Sequence, residues 1–334
     1  MVKVFRPISQ HVPVPVSKRV LGYFGLAGLF FLLSFITIYF VHHYFAEGQF
    51  RVDPHLLSVR VIVTLLVLLA LYYLADGLRL YSVIRAMGFH IAFPYILKLV
   101  FVNIFVSNVT PLATSIRTML ASLILFTLTP IIIWAEPNMF RMFFHRNLLY
   151  GITGVSCVYL TVFWIILFRI RVIKRWLFRG LHLLNILRIL PRRRFRFLFL
   201  KVSRELDLFS NGFKRYYRGA PGWAALSVVF TALFLLLLFS FSVVLVRTLG
   251  YQVPVLTVLA FQVVVTFFMY FAPTPGAAGV AEGGYGLLFA QLVQKQDITL
   301  LTLSWRFLTI YVGVLIGIFV IYREVFNRKK AVRL

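Results

Sequence analysis

The chain has 334 residues, 61% of them apolar and only 13% charged, against about 45 to 50% apolar and about 25% charged in a soluble domain. Thirty-five Lys and Arg against nine Asp and Glu give a net charge of +26, and this charge alternates with long uncharged runs, which fits loops facing anionic lipid and excludes a nucleic-acid surface. The single cysteine, Cys157, leaves no intrachain disulfide and no thiolate metal cluster, so the composition describes an integral membrane protein.

The basic N-terminus shows no small-residue cleavage site after the first apolar run, so Leu21 to Val41 reads as a retained span. A bilayer core takes about 20 apolar residues per helix. Leu57 to Ala75 meets that requirement, as do Ile116 to Trp134, Leu148 to Ile170, Trp223 to Val246 and Ile298 to Tyr322. Two other stretches are interrupted. Phe93 to Val109 carries Lys98, Asn103 and Asn108 and stops before Pro111. Val255 to Ala272 stops at PTPGAAG, which contains Pro273 and Pro275, and resumes over Val280 to Val293. Broken apolar segments of this kind predict re-entrant half-helices, tolerated at membrane depth where protein or a wet cavity satisfies the freed backbone groups.

Charge sets the expected orientation. Fifteen Lys and Arg but only Glu205 and Asp207 lie between Arg169 and Arg218, which marks 169–218 as a basic cytoplasmic loop. Counting crossings from it places both termini in the cytoplasm, provided each broken segment enters and leaves on one side.

The chain also resembles itself. RAMGFHI, Arg85 to Ile91, aligns with RTLGYQV, Arg247 to Val253, at an offset of 162 residues, and the same offset lays Pro111 on Pro273. Three spans separate the copies, so they face opposite ways, as in transporters built from inverted repeats. The expected fold is therefore an all-α polytopic membrane protein with six full spans and two broken segments. It is one transmembrane domain, 1–334, with repeat halves at about 57–134 and 223–322. Downstream, TSIRTML aligns with LSWRFLT, Arg117 opposite Arg306, but the offset has grown to 189. The first copy is thus 27 residues short just after Pro111, and a segment like the Gly-rich turn and returning half-helix is expected between Pro111 and Thr114 but is missing.

Most acids lie in loops or the tail, and Asp297 fits an N-cap of the last span. Asp76 and Glu282 remain, and an ionisable group at membrane depth is a functional-site hypothesis. The structural alternatives are a partner in Arg79 or Arg85 for Asp76, and bonds to free amides of the glycine turn for Glu282. Arg117 and Arg306 are suited to phosphate, or to snorkelling toward headgroups. Gly276, Gly279 and Gly283 allow close approach of backbone or ligand, and Pro111, Pro273 and Pro275 interrupt helices. The candidate substrate-binding set is therefore Asp76, Arg117, Glu282, Arg306, Gly276, Gly279 and Gly283. His42 and His43 invite a metal reading, but an interfacial pair is the plainer account. No nucleotide loop, HExxH or GxSxG occurs. No cofactor or metal is expected, and transport fits better than catalysis.

DGLRLYSVIRAMGF, NIFVSNVTP, PTPGAAGVAEGGYG and SWRFLTIYVGVLIG together resemble the transmembrane region of the lysylphosphatidylglycerol synthetase family, the flippase part of the bacterial multiple peptide resistance factor and its stand-alone relatives. The resemblance covers roughly Leu21 to Arg323. It implies translocation of phospholipid, aminoacylated phosphatidylglycerol in the best-known members, in a bacterial cytoplasmic membrane. It carries the family's acids onto Asp76 and Glu282. The family's first Gly-Gly-x-Pro segment with its following Arg has no counterpart, nor has the synthase domain. Expected partners are membrane phospholipids and no nucleic acid, with a homodimer and a separate lipid-modifying enzyme left open. The alternative functions are an accessory subunit of a lipid-modifying system and an intramembrane lipid-linked glycosyl transferase.

Overall fold

A computed structural model of the chain describes residues 16–45, 53–109, 116–135, 145–186, 192–272 and 274–331. Among them, six helices are long and apolar enough to cross a membrane: Gly25–Phe45, Val59–Ala86, Thr118–Ala135, Arg146–Ile166, Pro221–Thr248 and Lys295–Glu324. They coincide with the six runs expected from hydropathy. The second runs on past Ala75 to Ala86, because a helix continues past its apolar window when its polar end is packed: Asp76, Arg79 and Ser82 are all buried in Val59–Ala86.

In chain order the helices are α1 (Val16–Phe45), α2 (Val59–Ala86), α3 (Phe93–Val109), α4 (Ile116–Ala135), α5 (Arg146–Phe168), α6 (Ile170–Ile186), α7 (Arg192–Tyr217), α8 (Pro221–Thr248), α9 (Val255–Met269), α10 (Val280–Phe289), α11 (Ile298–Arg306) and α12 (Val312–Ala331). A π-helical turn, Phe307–Tyr311, joins the last two into one span. Large apolar side chains such as Val63, Leu66, Val158 and Leu236 stay exposed on the outer faces, as expected of helices solvated by lipid. The main interior cluster is rich in aromatic side chains, among them Phe30, Phe105, Phe126, Phe241 and Phe261.

Without a hydrophobic drive between helices in lipid, close backbone approach decides which pairs form. Gly313 and Gly317 stand four apart on the face of α12 that meets α3. A Cβ on Gly317 would lie 2.4 Å from the Phe101 carbonyl, and one on Gly313 would lie 3.0 Å from Ile104. Gly77 of α2 likewise admits Leu97 of α3, at 2.7 Å from where its Cβ would stand.

The stretch expected as a basic loop is helical where it is described. Its basic residues alternate with Trp176, Phe178, Phe197, Leu200 and Leu208, all exposed, and that helical spacing makes α6 and α7 amphipathic. Lys174 Nζ clamps them together with 2.7 Å bonds to both carboxylate oxygens of Asp207. Tyr216, near the end of α7, is pinned into a small cluster with Val83, Ala86, Met119, Leu120 and Phe163.

Side-chain and backbone contacts place the two interrupted segments against their neighbours. Phe93, at the start of α3, packs edge-on to Tyr81, and Lys98 reaches Glu324 at 3.0 Å, while the first turns of α4 pack on Val83, Ala86 and Tyr216. In the second, the Tyr251 hydroxyl, which precedes α9, accepts the backbone N–H of Gln294, which follows α10, at 3.0 Å. The connection between α3 and α4, with Pro111 and the proposed missing segment, falls outside the described residues, as does Pro273.

Candidate functional site

The second interruption is built by its sequence. After α9 the chain runs through Thr274-Pro275-Gly276-Ala277, with Gly276 at φ 57° and Gly279 at φ 93°. Both lie where an L side chain is strained, which is why glycine is used. Ala277 also takes a positive φ, 56°, a conformation that costs a non-glycine residue about 1 to 2 kcal/mol. The turn is held by Thr274 Oγ1 donating to the Ala278 carbonyl at 2.7 Å and by the Ala277 N–H bonding the Thr274 carbonyl at 3.1 Å. Gly276 is also needed for space, since a Cβ there would stand 2.4 Å from the Phe30 ring and 3.2 Å from Asn108 Oδ1. The end of α3 thus touches the turn between α9 and α10.

Glu282 occupies the first turn of α10 and is fully buried. Its Oε2 accepts the Gly279 N–H at 2.8 Å, as a helix-start carboxylate does. Its Oε1 accepts Arg306 Nε at 2.7 Å. Arg306, also fully buried, donates Nη2 to the Gly276 carbonyl at 2.9 Å. One guanidinium therefore spans both sides of the turn and neutralises the acid. Its Nη1 has no hydrogen-bond partner among the described residues. The π-helical turn begins at the next residue, Phe307, and such single turns recur at functional sites.

Aromatic rings wall the pair. Trp305, Tyr285 and Phe289 stack face to face, with centroids 4.4 Å and 3.9 Å apart. The Tyr285 hydroxyl donates to Ser242 Oγ at 3.0 Å, and Gln262 Nε2 bonds the same oxygen. Gln262 Oε1 and Trp305 Nε1 have no partner among the described residues. Sequence reasoning missed this buried polar chain; the signal was a lone glutamine, Gln262, inside the otherwise apolar run of α9.

Asp76 is built differently. It bonds Arg79 of its own helix at 2.5 Å, both residues being buried, and the Arg79 guanidinium lies 3.9 Å from the centre of the Phe234 ring on α8. This is the structural alternative that sequence spacing offered.

Of the candidate residues, Glu282, Arg306, Gly276 and Gly279 come together, with Pro275 opening the turn. Gly283 lies in α10 with nothing within 4 Å of where its Cβ would stand, so close approach does not require glycine there. Arg117 stands in the first turn of α4, and its side chain is outside the described residues. Asp297 does not cap the last span with its side chain; its carboxylate accepts the Tyr251 hydroxyl at 2.5 Å instead. That contact and burial push the Tyr251 phenol up from 10.0 to about 12, burial being the larger cause.

A second feature flanks Arg306. An apolar groove of about 490 Å³ is lined by Phe35, Leu65, Leu303, Phe307, Leu308 and Tyr311, among others.

Against known families, residues 115–317 match the family model described as lysylphosphatidylglycerol synthase TM region. No curated protein matches the chain, and no solved structure does. The matched range contains Glu282 and Arg306 but not Asp76.

Proposed function

Because the chain belongs to the lysylphosphatidylglycerol synthase transmembrane-region family, we propose that it is a lipid translocase, moving a phospholipid between the leaflets of a bacterial cytoplasmic membrane. The observation that carries this reading is the Glu282–Arg306 pair, fully buried at the turn where two interrupted helical segments touch. A charge pair inside a membrane bundle is expensive to desolvate, and hydrophobic residues of similar volume commonly replace one without loss of stability. Its retention here is attributed to function.

In the conformation described, acid and arginine neutralise one another. The proposed cycle opens that pair. The lipid phosphate takes the Arg306 guanidinium, for which the Nη1 without a partner offers a first bond, while Glu282 takes a cationic group, such as the ammonium of an aminoacylated headgroup. Phosphate and arginine suit each other through charge-assisted, directional hydrogen bonds. Neutralising both ends of the headgroup lowers the cost of carrying it past the bilayer centre. The acyl tails remain in lipid, with the groove beside Arg306 a natural slot for one of them. Asp76 and Arg117 are assigned supporting roles along the same path, and the two broken segments are read as re-entrant halves of an inverted repeat. The excess of basic residues on α6 and α7 supports placing that end of the bundle, and both chain termini, in the cytoplasm.

The test is headgroup accessibility of fluorescent phospholipids, one anionic and one aminoacylated, in liposomes with and without the purified chain. Exchange faster in the presence of protein, for at least one of the two lipids, is the expected result. Rates equal to those of protein-free liposomes for both, with folded and inserted protein, would count against translocation.

A further inference from the structure

A second polar site lies where α2 ends against the junction of α7 and α8. A cavity of about 450 Å³ is lined there by Ala86 to Gly88 and Gly219 to Ala220, and by Arg85, Lys214, Arg215 and Arg218. Four basic residues from two separated stretches thus line one concavity, and no acidic residue does.

The wall is tightly made. The Ala220 N–H bonds the Ala86 carbonyl at 3.3 Å, and a Cβ on Gly219 would fall 1.8 Å from that same oxygen, so only glycine fits. Arg215 is committed to the wall: its Nε donates to the Met87 carbonyl at 2.9 Å and its guanidinium lies 4.1 Å from the centre of the Phe89 ring. The Arg85 guanidinium sits 5.3 Å from the Trp223 ring and 5.7 Å from the Tyr81 ring, which orients its charge without neutralising it. Among the described residues, Arg85, Lys214 and Arg218 form no ion pair with a carboxylate.

Like charges gathered in a concave site repel one another, and the concavity focuses their field on an anion. The C-terminus of α2 attracts cations to this corner, and its Met87 and Ala86 carbonyls are already engaged by Arg215 and Ala220. We infer that this pocket binds an anionic phosphate group, as in the headgroup of an anionic phospholipid resident at the basic end of the bundle. Tyr81 and Trp223 beside Arg85 favour the lipid over a soluble phosphate, because such rings settle at the level of the headgroups. The site is separate from the Glu282–Arg306 pair and does not depend on translocation. A bound headgroup would tie α7 to α2 and α8, so the amphipathic helices would dock more firmly in an anionic membrane.

The experiment is a binding titration of the purified full chain by native mass spectrometry with phosphatidylglycerol and phosphatidylcholine, and by calorimetry with inorganic phosphate. The wild type is compared with Arg85→Gln/Arg218→Gln and with Arg85→Lys/Arg218→Lys. A basic side chain near a membrane surface contributes roughly a fivefold gain toward anionic lipid, so the Gln variant should bind phosphatidylglycerol about 30-fold more weakly. The Lys variant should stay near wild type, and phosphatidylcholine should bind weakly to all three. Inorganic phosphate binding lost in the Gln variant, with phosphatidylglycerol unaffected, would keep the phosphate site and assign it to a soluble ligand. Phosphatidylglycerol and phosphate binding that are both unchanged in a folded Gln variant would overturn the inference.

Discussion

Among the described residues, two buried carboxylate–arginine pairs differ in how the chain makes them. Asp76 and Arg79 are three residues apart on one uninterrupted helix, so forming α2 already brings them together. Glu282 and Arg306 are 24 residues apart on either side of a return, and they meet only when α10 folds back and the last span packs against it. The first pair braces a helix. The second joins a strained turn, a short helix and a span at one guanidinium, so any movement of the turn must break or exchange its bonds. A pair that must be remade when the segment moves is the better candidate for a site that cycles.

The largest expected effect separates the two. Removing one partner of a buried pair strands the other charge, at a cost of about 3 to 5 kcal/mol. Arg306→Ala or Glu282→Ala should fall at the upper end, because both side chains are fully buried and the arginine also bonds the Gly276 carbonyl. Denaturant titration in mixed micelles measures it. Asp76→Ala should cost about 3 kcal/mol, the lower end of the same range, because Arg79 retains the Phe234 ring as a partner. A larger loss from Asp76→Ala than from Glu282→Ala would invert the comparison.

Gly276→Ala comes next. The new methyl meets Phe30 in a turn of positive φ, and overpacking of this kind costs about 1 to 3 kcal/mol. Adding Phe30→Leu should recover part of that loss, while Gly283→Ala, with open space around it, should be tolerated. Last is Tyr251→Phe, which removes a hydrogen bond to the Asp297 carboxylate and the acceptor of the Gln294 N–H, at about 1.5 kcal/mol, the lower end for a bond to a charged group because the contact is only partly buried. The Tyr251 phenol is raised from 10.0 to about 12 in the fold, so the folded state holds its proton more tightly than the unfolded chain. That contribution is fully present below pH 10 and is lost as pH rises toward about 12. The phenolate difference spectrum between wild type and Tyr251→Phe should titrate near the higher value.

Much of this was legible in the sequence for physical reasons. Six spans follow from uninterrupted apolar runs, since a bilayer fixes helix length. The Asp76–Arg79 contact follows from helical spacing, and the bond from Glu282 to Gly279 follows from a carboxylate placed in a first helical turn after a glycine. The partnership of Glu282 with Arg306 did not follow. Each is a candidate on its own residue chemistry, because no local period connects positions 24 residues apart on different elements. The helices within 169–218 were hidden by counting charges alone; the alternation of Trp176, Phe178, Phe197 and Leu200 with arginines was the available signal. The Ser242–Gln262–Tyr285 chain joins three helices, and its polar atoms are scattered singly through apolar sequence.

The most direct test of the central claim uses Glu282→Gln/Arg306→Gln, which removes both charges and strands neither. Stability and phospholipid exchange are measured on the same reconstituted preparation. The account predicts that the double variant remains folded, close to wild type in denaturant, and exchanges labelled headgroups no faster than protein-free liposomes. A double variant that is folded and exchanges lipid at the wild-type rate would contradict it, leaving the pair as a structural tie and placing any lipid path elsewhere.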